Sequence, residues 1–219
     1  TFELLKKWGF NDANLRAKNA IIPIVYYIYH QNLENEILKD HIHQEEKKAM
    51  RKWLCVSLLK GVFGGQSDSV LTGIRKVLRN NPQANEFPFE QIKAEFASND
   101  AKSLSLSDEV IEDILKTQKD APNSYTILAL LYSHLHYDTV IYHKDHLHPA
   151  SKFIKLTIND FSGDEKKYKF YTNPDNWNSI LNLQLISSST NESKNDEDLA
   201  CWVQEKNIDL DSQIIPKDV

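Results

Sequence analysis

The stretch Tyr142-His143-Lys144-Asp145-His146-Leu147-His148-Pro149 sets a carboxylate beside an imidazole at the end of a strand-like segment. Downstream, Ile180-Leu181-Asn182-Leu183-Gln184-Leu185-Ile186 carries a carboxamide within an apolar run, and Asn191-Glu192-Ser193-Lys194 opens a polar helix. Phosphodiester hydrolysis needs a base to activate water, a cation to neutralise charge on the phosphate, and help for the leaving oxygen. His146 can be the base, because a neutral imidazole accepts a proton near neutral pH. Neighbours in an extended chain point to opposite sides, so Asp145 can hold a metal ion while His146 faces water. Asn191 adds an amide oxygen, and a set of hard oxygen donors suits Mg²⁺ or Mn²⁺ better than Zn²⁺. Asn182, expected inside the second strand, must be hydrogen-bonded if it points inward, and its useful partner is the loop backbone that aims His146. Lys194 follows Asn191 by one helical turn and shares its face, within reach of the scissile phosphate. The expected set is catalytic His146, Asn182 and Lys194, with Asp145 and Asn191 on one divalent ion.

Plainer readings exist for each. His143, His146 and His148 could make a structural zinc cluster, although no Cys pair lies near them. Asn182 could be a satisfied core amide, and Lys194 a solvated helix residue. His134 and His136 read as the end of a helix.

The elements that must position these residues follow from periodicity. Phe2 to Trp8 reads as a short helix stopped by Gly9. Leu15 to His30 reads as a buried helix started or kinked at Pro23, with Ala20, Ile21, Ile24, Val25 and Ile28 at helical spacing. His43 to Val62 is amphipathic, with Met50, Trp53, Leu54, Ser57, Leu58 and Gly61 on one stripe and Lys47, Lys48, Arg51 and Lys52 largely opposite. Gly64 to Asp68 breaks the chain, and Val70, Leu71, Ile74, Val77 and Leu78 mark the next helix. Further helices are expected over Pro88 to Ala97, Ser107 to Lys116 and Asn123 to His136, and a last one from about Thr190 carrying Leu199, Trp202 and Val203. Ser151 to Trp177 is a polar, Lys-rich insertion with aromatic anchors. The chain divides near residue 120, into a helical part (1–120) and a smaller mixed part (121–219) with the insertion near 151–177.

The 219 residues suffice to bury a core without covalent staples, and Cys55 and Cys201, in helix-like contexts, read as reduced packing residues of a cytoplasmic protein. The longest apolar run, Ala20 to Ile28, contains Pro23 and is too short for a bilayer, so no membrane association is expected. Gly64-Gly65 lacks a following Gly-Lys-Ser/Thr, so no phosphate-cradling loop is present. A formal charge of −5 and a pI near 5.9 give no global support for nucleic-acid binding, which then rests on local cations. Lys47, Lys48, Arg51 and Lys52 form one such cluster, Arg75, Lys76 and Arg79 another, and Lys152 lies just past the Asp-His stretch. The bland reading of the first cluster is a solvated face.

Asp145-His146-Leu147-His148-Pro149, Asn182-Leu183-Gln184-Leu185 and Asn191 to Lys194, taken together, resemble the HNH (ββα-metal) nuclease motif, in the form found in the C-terminal half of GmrSD-type restriction endonucleases. The preceding Asn19-Ala20-Ile21-Ile22-Pro23-Ile24-Val25-Tyr26-Tyr27 and Arg51-Lys52-Trp53-Leu54 are similar to the region before that module. The resemblance implies a mainly α fold, a helical subdomain followed by a ββα-metal module. It implies Asp145 and Asn191 as metal ligands, His146 as general base and Asn182 as the orienting residue. It further implies a DNA endonuclease acting on double-stranded, phage or modified DNA. The family's N-terminal NTP-handling domain has no counterpart here, which, with the start at Thr1-Phe2-Glu3, is what a piece of a longer protein would show. Two positions depart from the family: Leu181 stands where Gly is usual, and His148 where an apolar or aromatic residue is usual. Against the nuclease stand a non-catalytic helical DNA-binding or docking module with a degenerate site, and an RNA-directed nuclease.

Overall fold

The computed structural model describes residues 1–65, 67–82, 86–211 and 213–215. The chain is mainly helical, with one two-stranded antiparallel sheet, and forms two compact units, Thr1–Ser107 and Asp108–Val219.

The first unit is built from α1 (Phe2–Lys7), α2 (Ile22–His30), α3 (Gln44–Leu59), α4 (Ser67–Asn80) and α5 (Phe89–Glu95). A 3-10 turn, Lys18–Ile21, leads into α2, with Pro23 in the first helical turn where its missing N–H costs nothing. Helix α3 is the axis of the unit. Its Trp53 is fully buried, donates its indole N–H to the Ala20 carbonyl at 2.9 Å, and meets the rings of Phe63 and Phe87. From Met50 to Leu58 nearly every side of the helix is covered, which takes Cys55 and Arg51 inside as well. Burial pushes the Cys55 thiol up to about 12, so it is an inert packing group, whereas Cys201 is exposed. Gly61, expected on the buried stripe, instead lies beyond the helix end with a φ of 59°, the left-handed turn that lets the chain leave α3. Val70, Ile74, Val77 and Leu78 bury the apolar side of α4 as its spacing predicts. The residue before α4, Gln66, belongs to the expected break over 64–68 and lies outside the described residues.

The second unit begins with α6 (Asp108–Leu115) and α7 (Ser124–Leu131). The expected boundary near 120 is displaced for a backbone reason. Gln118 forms an isolated antiparallel bridge with Ser179, Lys119 N–H donates to the Asn178 carbonyl at 2.9 Å, and Ile180 N–H donates to the Thr117 carbonyl at 2.9 Å. Residues 117–119 are thereby tied to the second unit. Strand β1 (Tyr142–His146) pairs with β2 (Leu183–Ser187) in the register His146 opposite Leu183 and Asp145 opposite Gln184. Between them, the region read as a polar insertion is helical: α8 (Ala150–Ile154), a 3-10 turn at Ile158–Phe161, α9 (Glu165–Thr172) and α10 (Pro174–Trp177). Asp164 and Asn173 cap α9 and α10 by accepting backbone N–H groups, the role short polar side chains serve best.

Two expected positions shift. Asn182 closes a 3-10 turn, Ile180–Asn182, just before β2 rather than lying in the strand. The helix expected from Thr190 is two helices, α11 (Ser188–Lys194) and α12 (Leu199–Lys206), separated at Asn195, whose φ is 45°. Asn191 is therefore in the body of α11, which starts three residues earlier because Ser187 Oγ accepts the Thr190 N–H at 3.1 Å. Leu199, Trp202 and Ile215 pack together as a small core, with Leu147 and Val203 against them. Among the described residues no helix is long and apolar enough to cross a membrane.

Candidate functional site

The strand, strand, helix run β1, β2, α11 brings Asp145 and Lys194 together and sends His146 the other way. Alternation along β1 puts His143 and Asp145 on one side, and Tyr142, Lys144 and His146 on the other. On the Asp145 side, Oδ2 accepts from Lys194 Nζ at 2.9 Å and from Gln184 Nε2 at 3.2 Å. Lys194 also donates to the His146 carbonyl at 2.7 Å and stands 5.7 Å from the centre of the Trp202 ring. It is 1% exposed. The expectation of a lysine reaching for phosphate thus meets a buried ammonium whose hydrogen bonds go to a carboxylate and a carbonyl, as a desolvated charge requires. The Trp202 ring of α12, lying over the ammonium, is part of the physical reason.

On the opposite side His146 is half-buried between Asn178 and Lys119. Its Nε2 lies 2.9 Å from Asn178 Oδ1, and its Nδ1 lies 3.5 Å from Lys119 Nζ. An amide oxygen facing Nε2 places the neutral ring's proton there and leaves the Nδ1 lone pair as the basic site. Burial pushes the imidazole below its ordinary 6.5, the nearby Lys119 and Lys194 cations add to that, and the Asn178 bond and Asp145 charge oppose it. Lys119 is held by Lys144, whose ammonium donates to the Lys119 carbonyl and, at 2.8 Å, to Ser124 Oγ. The same desolvation draws the Lys144 pKa down.

Asn182 makes three bonds with the loop that follows β1 and with the turn before β2. Its Oδ1 accepts the His148 N–H at 2.9 Å, and its Nδ2 donates to the carbonyls of His148 at 3.0 Å and Trp177 at 2.8 Å. Asn191, one turn before Lys194, is partly buried. The His143 ring goes to Ser188 Oγ at 2.9 Å. No three His, Cys, Asp or Glu side chains among the described residues are grouped to hold a metal, so the zinc alternative has no cluster there.

Donor chemistry tests the divalent ion better than ligand counting does. Among the described residues Asp145 Oδ1 accepts no hydrogen bond and the buried Gln184 Oε1, cross-strand from Asp145, has no partner. Carboxylate and amide oxygens are the donor types that Mg²⁺ or Mn²⁺ takes. The Lys194 ammonium opposes the fit by neutralising part of the Asp145 charge.

The α3 cations are not an open basic face. Arg51 is 7% exposed, because it shares a row with Cys55 and Leu58 on the covered side. Lys47 donates to the Ile42 carbonyl, Lys48 pairs with Glu45, and Lys52 pairs with Glu90. Lys152, on α8, is exposed. Lys119, Asn178 and Gln184 were missed in the sequence. Only Gln184 carried a signal, a polar residue between Leu183 and Leu185. The chain matches no family model, and no curated protein is significantly similar to it in sequence.

Proposed function

We propose that the second unit is an HNH-type (ββα-metal) endonuclease module that hydrolyses DNA phosphodiester bonds with one Mg²⁺ or Mn²⁺, in the cytoplasm, in restriction of phage or modified double-stranded DNA. In the same reading it works with an NTP-handling domain of a longer protein. The observation that carries it is a half-buried neutral imidazole on the last residue of β1, next in sequence to a carboxylate on the other side of the strand that Lys194 ties to the helix after β2. Asp145 and Asn191 would hold the ion, which supplies charge neutralisation at the phosphate. His146 Nδ1 takes the proton of the attacking water, and Asn178 fixes the ring by accepting from Nε2. Lys119, rather than Lys194, is the ammonium beside the basic nitrogen and the one placed to meet a phosphate oxygen. Asn182 holds the loop at His148 and Trp177. Lys194 keeps Asp145 in position.

Plasmid nicking in Mg²⁺ or Mn²⁺ tests this directly. His146→Ala should lower the rate by 10²-fold or more, of the order general-base loss gives, with an unchanged circular dichroism spectrum. Undiminished cleavage by that variant sinks the proposal. One observation favours a second reading: the Asp145–Lys194 pair could be purely structural, leaving a degenerate, non-catalytic DNA-binding or docking module. Salt-sensitive DNA binding with no cleavage in any divalent ion would favour it.

A further inference from the structure

Beside the candidate site the second unit holds a cleft of about 470 Å³ that the hydrolytic chemistry does not use. Phe153 and Trp177 are stacked in its wall, their rings 6° from parallel with centres 6.0 Å apart, an arrangement that a further planar ring can extend. The Trp177 indole N–H is directed to the Thr172 carbonyl at 3.4 Å, which leaves no polar group of that ring to be satisfied inside the cleft. Phe170 and Tyr171, on α9, line the same cleft while 58% and 43% exposed. Tyr171 is stacked on Phe161, with ring centres 5.5 Å apart, whereas Phe170, the more open ring, does not serve the core. Glu112 and Asp175 at the cleft outnumber Lys116 there, so it repels phosphate while it accommodates an uncharged planar ring.

The cleft is continuous with the candidate site. The Trp177 ring centre is 6.0 Å from that of His146, and Asn182 both lines the cleft and holds the His148 loop. A base in the cleft therefore lies in the neighbourhood of a phosphate at His146.

We propose that this cleft is a binding site for an unpaired nucleobase, stacked against the Phe153–Trp177 wall and Phe170, which anchors the strand next to the bond to be cut. The position relative to the scissile bond rests on the nuclease reading; the base-binding chemistry does not. Aromatic platforms of this kind accept any base by its π-face, and enzymes that work on duplexes receive bases that have left the stack.

The test uses the full chain in EDTA. Fluorescence anisotropy compares a short labelled single-stranded oligodeoxynucleotide with an abasic strand of the same length and phosphate count. The base-bearing strand should bind about 5- to 150-fold more tightly, the factor that stacking of one base supplies. Phe170→Ala and Tyr171→Ala, both at exposed positions, should cut that ratio severalfold while leaving the salt dependence of abasic-strand binding unchanged. Equal affinity for the two strands, no binding of either, or a ratio that survives both substitutions overturns the proposal. So does a change in the sedimentation of the protein alone on Phe170→Ala without a change in the ratio, which would mark the cleft as a protein contact. Since no cleavage is read, a failure here leaves the role of His146 standing, and inactivity of the wild-type chain on plasmid leaves the base site standing.

Discussion

At His146 the electrostatics make a prediction that geometry alone does not. The imidazole is held below 6.5 by burial first and by nearby cations second, so it is a free base through the neutral range. Cleavage should climb with pH to a plateau, with its midpoint below 6.5. Lys119→Met removes a cation 3.5 Å from Nδ1 and should move that midpoint upward. A pH–rate profile of kcat/KM for the two proteins checks the sign. The same shift bears on stability. A histidine whose folded pKa is depressed contributes stability that is complete above about 6.5 and is lost as pH falls through the folded value, because the unfolded chain binds the proton more readily. His146 itself was legible as a base from its neighbour Asp145, whereas its real partners were not. Lys119 and Asn178 lie 27 and 32 positions away in the chain, and nothing in their local sequence marks them.

At the scale of elements, periodicity identified what it physically controls, the faces that exclude water. The stripe of α4 and the buried Trp53 of α3 follow from it. It failed where a side chain's environment is made by a second element. Arg51 reads as part of a polar face until the rest of the unit covers it, and Lys194 reads as solvated until Trp202 of α12 lies above it. Asn182 and Asn191 were displaced by a few residues because a 3-10 turn and a Ser187 cap start their elements at points the apolar pattern does not mark. The buried ion pair gives this scale its prediction. Lys194→Met leaves the Asp145 carboxylate, among the described residues, with the Gln184 amide alone, and breaking one side of such a pair costs about 3 kcal/mol. Urea unfolding measures it; a change under 1 kcal/mol would mean that solvent already screens the pair.

For the molecule as a whole, the division of the chain depends on hydrogen bonds that composition cannot reveal. The change from all-helical to mixed character near residue 120 reads as a boundary, yet the backbone just before it is paired with 178–180. A fragment starting at residue 108 should therefore melt cooperatively, while one starting at residue 121, lacking Lys119 and the Gln118–Ser179 bridge, should melt lower or not cooperatively by circular dichroism. Equal melting curves would show that α6 and its tether are dispensable. The junction of β2 and α11 carries a last consequence. Ser187 is at once the final residue of the strand and the cap of the helix, so no spacer can absorb an error between them. With 3.6 residues per turn, each residue gained or lost at that joint rotates α11 by about 100°. Lys194 finds Asp145 in one rotational phase alone, and the salt link certifies that the hairpin has closed in step.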